Sequence, residues 1–134
     1  MQLHAEHFAH AITACEPDGI TWAGQRITRS VLLRSWSREA LPWGNAGFEA
    51  LRADDFAQLA EGQPDVVLFG SGARLRFPAP VLLAPLLRAG LSPESMDTAA
   101  ACRTWNVLAS EGRRVAVALL LPTIAGTVPG KALK

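Results

Sequence analysis

Two stretches hold the residues whose types and spacing could do chemistry. In "FGSGARLRFP", Phe69–Pro78, a glycine turn carries Ser71 and is followed by Arg74 and Arg76. In "MDTAAACRTWN", Met96–Asn106, Asp97 and Thr98 open a run of helix formers that also carries Arg103 and Asn106. A helix start presents unpaired N–H groups, and guanidinium forks suit carboxylate or phosphate. The chemistry these residues offer is a grip on a small anion, in a crevice lined by Gly70, Ser71, Gly72, Arg74, Arg76, Asp97, Thr98, Arg103 and Asn106. A structural reading competes at every position. Asp97 is placed to cap the helix, the alanines permit close approach to a sheet, and Trp105 fills a core.

Tests for a reaction centre fail. Gly70 and Gly72 begin a G-x-G-x-x-G pattern, but position 75 is leucine, and no Gly-Lys-Ser/Thr follows for a P-loop. Ser71 has Phe69 two residues before it, so the G-x-S-x-G frame is missing. The histidines are His4, His7 and His10, whose spacing spreads them around a helix or over both faces of a strand. No metal site is expected from them, and no catalytic residue or cofactor is expected anywhere. Cys15 and Cys102 match no metal or redox spacing. Cys102 lies in the first turns of a helix, where it is either packing or a thiol of lowered pKa. Glu49, Asp54 and Asp55 read as a solvated helix face. Trp36 and Trp43 stand in an irregular polar segment, as exposed anchors for a partner protein or as rings folded back over a sheet.

The elements that must position these residues follow from hydropathy. The chain has 134 residues, 49 % hydrophobic and 19 % charged, with a net charge of +1. One packed domain is expected over 1–121, with a loosely held tail at 122–134 that contains two prolines. The near-zero charge offers no field for nucleic acid or an acidic membrane. The apolar run "VAVALLL" is too short to span a bilayer, and "MQLHAEHFAH" lacks a signal-peptide pattern, so a cytoplasmic location is expected.

The N-terminal third reads as strands turning at Asp18-Gly19 and Ala23-Gly24, with "QRITRSVLLRS" as one imperfectly alternating strand of a sheet with one wet face. Residues 35–47 read as an irregular connection, and a short helix is expected around 52–61. "DVVLFG" and "VAVALLL" are apolar without alternation, which points to adjacent strands covered on both faces of an α/β sheet. Between them come a helix around 79–89, disturbed by Pro85, a short strand around 92–97, and a helix around 98–111 ending at Gly112.

"VVLFGSGARLRFP" and "SPESMDTAAACRTWNVLASEGRRVAVALLL" together resemble the Mth938-like family of small α/β proteins, which includes a mitochondrial assembly factor of respiratory complex I. The resemblance runs from about Ile20 to Leu121. It implies a single three-layer domain: a central mixed sheet of about five strands, helices on one side, and a helix plus an extra β-layer on the other. It places Thr104 and Glu111, with most of the crevice candidates, in shared motifs. Ser71 stands where threonine is usual and Trp105 where tyrosine is usual. The resemblance implies no catalytic activity and a protein partner. The expected function is a non-catalytic protein-interaction or assembly-factor-like domain. The alternative is a small-anion binder or weak enzyme using the crevice between Gly70–Arg76 and Thr98.

Overall fold

A computed structural model describes residues 10–121. The strands are β1 (Ile12–Glu16), β2 (Gly19–Trp22), β3 (Gln25–Ile27), β4 (Val31–Arg34), β5 (Ala40–Pro42), β6 (Val66–Gly70), β7 (Glu94–Met96) and β8 (Val115–Leu119). The helices are α1 (Ala53–Gln58), α2 (Ala84–Arg88) and α3 (Thr98–Ser110), with 3₁₀ turns at Phe48–Ala50 and Pro80–Leu83.

The central sheet has the order β5-β4-β8-β6-β7. β6 and β8 run parallel, with Val66 opposite Val115, Leu68 opposite Val117 and Gly70 opposite Leu119. β7 is parallel to β6, whereas β4 and β5 are antiparallel additions on the other flank. The sheet is therefore mixed, as expected, with the two apolar segments side by side at its centre.

Why those segments carry no polar alternation is visible in the packing. Leu68, Val115, Val117 and Leu119 face a core shared with Ala101, Cys102 and Trp105 of α3 and with Ile12, Ile20 and Trp22 of a separate antiparallel sheet, β1-β2-β3. Val67, Phe69, Ala116 and Ala118 face a second core with Trp43, Phe56, Leu59 and Leu86, from the 43–59 region and α2. Every residue of β8 is fully buried. A strand wetted on neither face has no use for a polar residue. The three expected layers are present: α1 and α2 on one side, α3 with the small sheet on the other.

Four details differ from the sequence reading. "QRITRSVLLRS" is two strands in two different sheets, divided at Thr28–Ser30, and β4 is dry on both faces because Leu32 enters one core while Val31 and Leu33 enter the other. The supposedly irregular segment contains β5, an edge strand that tolerates Pro42 because its outer side has no ladder to complete. The expected 79–89 helix is a 3₁₀ turn followed by α2, with Pro85 in the first turn of α2, where its missing N–H has no intrahelical partner to lose. The helix expected at 52–61 is the six-residue α1. The expected tail at 122–134, with His4 and His7, lies outside the described residues.

Gly70 sets the distance between layers. A Cβ there would lie 2.9 Å from Leu119 Cδ2 and 3.1 Å from both Ala101 Cβ and the Thr98 backbone. Only a bare backbone lets α3 approach β6 this closely. Gly70→Ala should therefore destabilise the fold by about 1–3 kcal/mol, the usual cost of overpacking. Urea unfolding with unchanged m-value checks this, and a stability equal to the parent would refute the tight approach.

Candidate functional site

At the carboxyl end of β6 the chain makes a tight loop whose polar groups are turned inward. Ser71 is fully buried. Its backbone N–H donates to Met96 O at 2.8 Å, and its Oγ accepts from Arg76 N at 2.9 Å while facing Arg74 O at 2.7 Å and Met96 O at 3.1 Å. A hydroxyl held by three backbone groups closes the loop on itself and is withdrawn from chemistry.

Thr98 does the same from the helix side. Its Oγ1 accepts from Gly72 N at 2.9 Å and donates to Leu120 O at 2.7 Å, and its own N–H donates to Gly72 O at 2.9 Å. Asp97 caps α3, its Oδ1 accepting from Ala100 N at 2.8 Å. The carboxylate thus takes the place beside the helix start that an external anion would need.

Gly70, Ser71, Gly72, Asp97 and Thr98 meet at this one junction, as the sequence suggested. The other candidates do not join them. Asn106 reaches the small sheet instead, accepting from Ile12 N and donating to Ile12 O, both at 2.8 Å. That two-bond clasp ties β1 to α3. Arg103 is exposed on α3. Arg74 and Arg76 turn to the far side of the loop, where Arg76 lies over the Phe48 ring at 4.2 Å and pairs with Glu49 at 3.4 Å.

The loop therefore separates two cavities of opposite character. The smaller, about 270 Å³, lies between Cys15–Pro17, Gly72-Ala73 and Asp97–Ala99; its charged residues are Glu16 and Asp97. The larger, about 830 Å³, lies between residues 28–30, 44–49, 72–76 and 120–121 and carries Arg29, Arg74 and Arg76 against Glu49. Sequence reasoning missed Arg29, Asn45 and Phe48 and put Glu49 on a solvated helix face. No local signal marks them, because the pairing of β4 with β8 and the Ser30–Asn45 hydrogen bonds assemble this wall from distant segments.

The tryptophans are packing residues. Trp43 is only 2 % exposed, its indole N–H donates to Asp55 O at 2.8 Å, and its ring meets Phe56 and Phe69 edge-on. The reading of Trp43 as an exposed contact is thus corrected: the second core needs its volume. Trp36 is half-buried against Gly62 and lies under the Arg114 guanidinium at 4.1 Å. Among the described residues no group of three His, Cys, Asp or Glu side chains is arranged for a metal ion, and no helix is long and apolar enough to cross a membrane.

These features can be set beside known proteins. A family model described as a protein of unknown function (DUF498/DUF598) matches residues 12–120. The chain belongs to this family. An uncharacterised family relative from Rhodobacter capsulatus is 42 % identical over 90 residues, covering 67 % of each chain. The NADH dehydrogenase [ubiquinone] 1 alpha subcomplex assembly factor 3 of Danio rerio is 41 % identical over 69 residues, covering 52 % of this chain and 39 % of the fish protein's length. A solution structure from Bordetella pertussis described as a Mth938-like domain superposes with a TM-score of 0.76 at 27 % identity, covering 98 % of this chain and all of that one. The resemblance read from the two motifs is thus shown, as is the fold it implied.

Burial, more than any other influence, pushes the Cys102 thiol up, with Cys15 adding to the effect. The lowered-pKa reading is corrected, since the ring of apolar neighbours outweighs the helix start. Cys15 is exposed. At pH 8 a thiol reagent should label Cys15 alone, with Cys102 reacting only after unfolding. Because Cys102 ionises in the unfolded chain but not in the folded one, its contribution to stability is present below the ordinary thiol pKa and declines as pH rises above it. Cys102→Ala should flatten that alkaline decline in thermal unfolding followed from pH 7 to 10; an unchanged decline would contradict the assignment.

Proposed function

We propose that this domain acts by binding another protein, as an assembly-factor-like module of the cytoplasm, and that its partner is an assembly intermediate of NADH dehydrogenase. One observation carries the surface: Leu75, Phe77 and Val81 are 50 %, 70 % and 75 % exposed along the single segment that joins β6 to α2. Exposed large apolar residues gathered on one segment are unusual for a free domain, and an aromatic anchor among them is the pattern of a contact hot spot. Pro78 and Pro80 restrict the backbone, so little conformational freedom is lost on docking. The partner class comes from the relatives that bear the assembly-factor name. The docking surface accordingly moves from the Trp36–Trp43 segment to Leu75–Val81.

The alternative reading, an anion site or weak enzyme between Gly70–Arg76 and Thr98, has less support at that place, because Glu16 and Asp97 supply its charge. Its arginines belong to the larger cavity.

In cells deleted for this chain, NADH dehydrogenase subcomplexes separated on native gels should accumulate short of the full enzyme, and the parent chain should restore it. Phe77→Asp with Val81→Asp, both at exposed positions, should fold normally and fail to restore it. Full rescue by that variant, or normal assembly in the deletion, would contradict the proposal.

A further inference from the structure

We propose that the larger cavity, bounded by residues 28–30, 44–49, 72–76 and 120–121, is a binding site for a small organic molecule bearing two or more oxyanion groups, held by Arg29 and Arg74. The site lies across the loop from the α3 helix start and just before the protein-docking segment, which begins at Leu75.

β6 and β8 are parallel neighbours, and the cavity opens just beyond their carboxyl ends, with Gly72–Arg76 following one strand and Leu120-Leu121 following the other. In open α/β sheets that is where ligands collect. Its volume of about 830 Å³ falls in the range of small-molecule sites, whereas the 270 Å³ cavity falls below it.

Ser30 N donates to Asn45 Oδ1 at 2.9 Å, Asn45 Nδ2 donates to Ser30 O at 3.0 Å, and Leu121 N donates to Ser30 Oγ at 2.9 Å. These bonds fix the wall in advance and leave the Ser30 and Asn45 side chains satisfied. The guanidiniums are not. Among the described residues Arg29 and Arg74 form no ion pair, whereas Arg76 on the same wall is paired with Glu49. Arg76 lies over Phe48 with its Nε buried and unpartnered, and its pair with Glu49 is weak because that carboxylate is 85 % exposed.

Among the described residues three arginines stand against one glutamate around this preformed hollow, which favours phosphate or carboxylate, groups that guanidinium forks bind with paired hydrogen bonds. Phe48 and Leu120 offer an apolar surface to the ligand's body. Among the described residues Glu49 is the only carboxylate on the lining.

The test is a titration of the ¹⁵N-labelled full chain at low salt with inorganic pyrophosphate and, separately, citrate. Saturable shifts of the Phe48, Gly72, Ala73 and Leu121 amides are expected with at least one probe. Pyrophosphate alone would assign the phosphate class, citrate alone the polycarboxylate class, and both the shared oxyanion chemistry. Arg29→Glu with Arg74→Glu should weaken binding by more than about tenfold. Arg113→Glu, at an exposed residue outside the cavity lining, should leave binding unchanged. Glu49→Gln should strengthen it. No saturation by either probe up to the order of 10 mM, equal loss in the Arg113 variant, or shifts confined to Asp97–Ala99 would overturn the proposal.

Discussion

A single buried hydroxyl ties together the parts of this domain that meet at the carboxyl ends of β6 and β8. Thr98 Oγ1 lies between Gly72 N and Leu120 O, and so bonds the first residue of α3 to the chain leaving β6 and to the chain leaving β8. Thr98 is 5 % exposed, so water offers little replacement for either bond. A buried amide and a buried carbonyl left unpaired cost far more than the net worth of the bonds themselves. The parallel pairing of β6 and β8 brings the two strand ends together, the bare Gly70 lets α3 descend onto them, and the hydroxyl fixes the result.

That constraint decides what the loop after β6 can do. With Gly72 held to α3 and Ser71 folded into its own turn, Arg76 turns toward Phe48 and Glu49 on the other side of the loop. The loop becomes a partition with acid on the α3 side and base on the other. Farther along, it carries Leu75, Phe77 and Val81 into the open. The ligand cavity and the protein-docking segment proposed for this domain are thus successive stretches of one anchored strand exit.

The elements that were legible in the sequence were those whose burial is uniform or whose ends are chemically marked. β6 and β8 declare themselves because both faces are dry, and α3 because Asp97 caps it and Gly112, with φ 81°, lets the chain leave it. The division of 25–34 into β3 and β4 was not legible. Val31 and Leu33 keep a two-residue period, but the change of sheet at Thr28–Ser30 is set by Asn45, fifteen residues away. β5 escaped notice for a similar reason: three residues ending in proline carry little strand preference until β4 offers a partner. At the site, residue types identified the Ser71–Thr98 junction, but the direction of Arg76 depends on Phe48 and Glu49, contributed by a different part of the chain. Trp43 stayed open between an exposed anchor and a folded-back ring, because no local sign shows that the second core closes around it.

The most direct measurement compares Thr98→Val with Thr98→Ser by urea unfolding, together with amide exchange at Gly72. Valine keeps the shape and removes both bonds, so stability should fall by at least about 2 kcal/mol and the Gly72 amide should exchange far faster. Serine restores the hydroxyl and should return most of the stability and the protection. Equal stability in the two variants, or an unchanged Gly72 exchange rate in Thr98→Val, would show that the junction is held by something other than this hydroxyl.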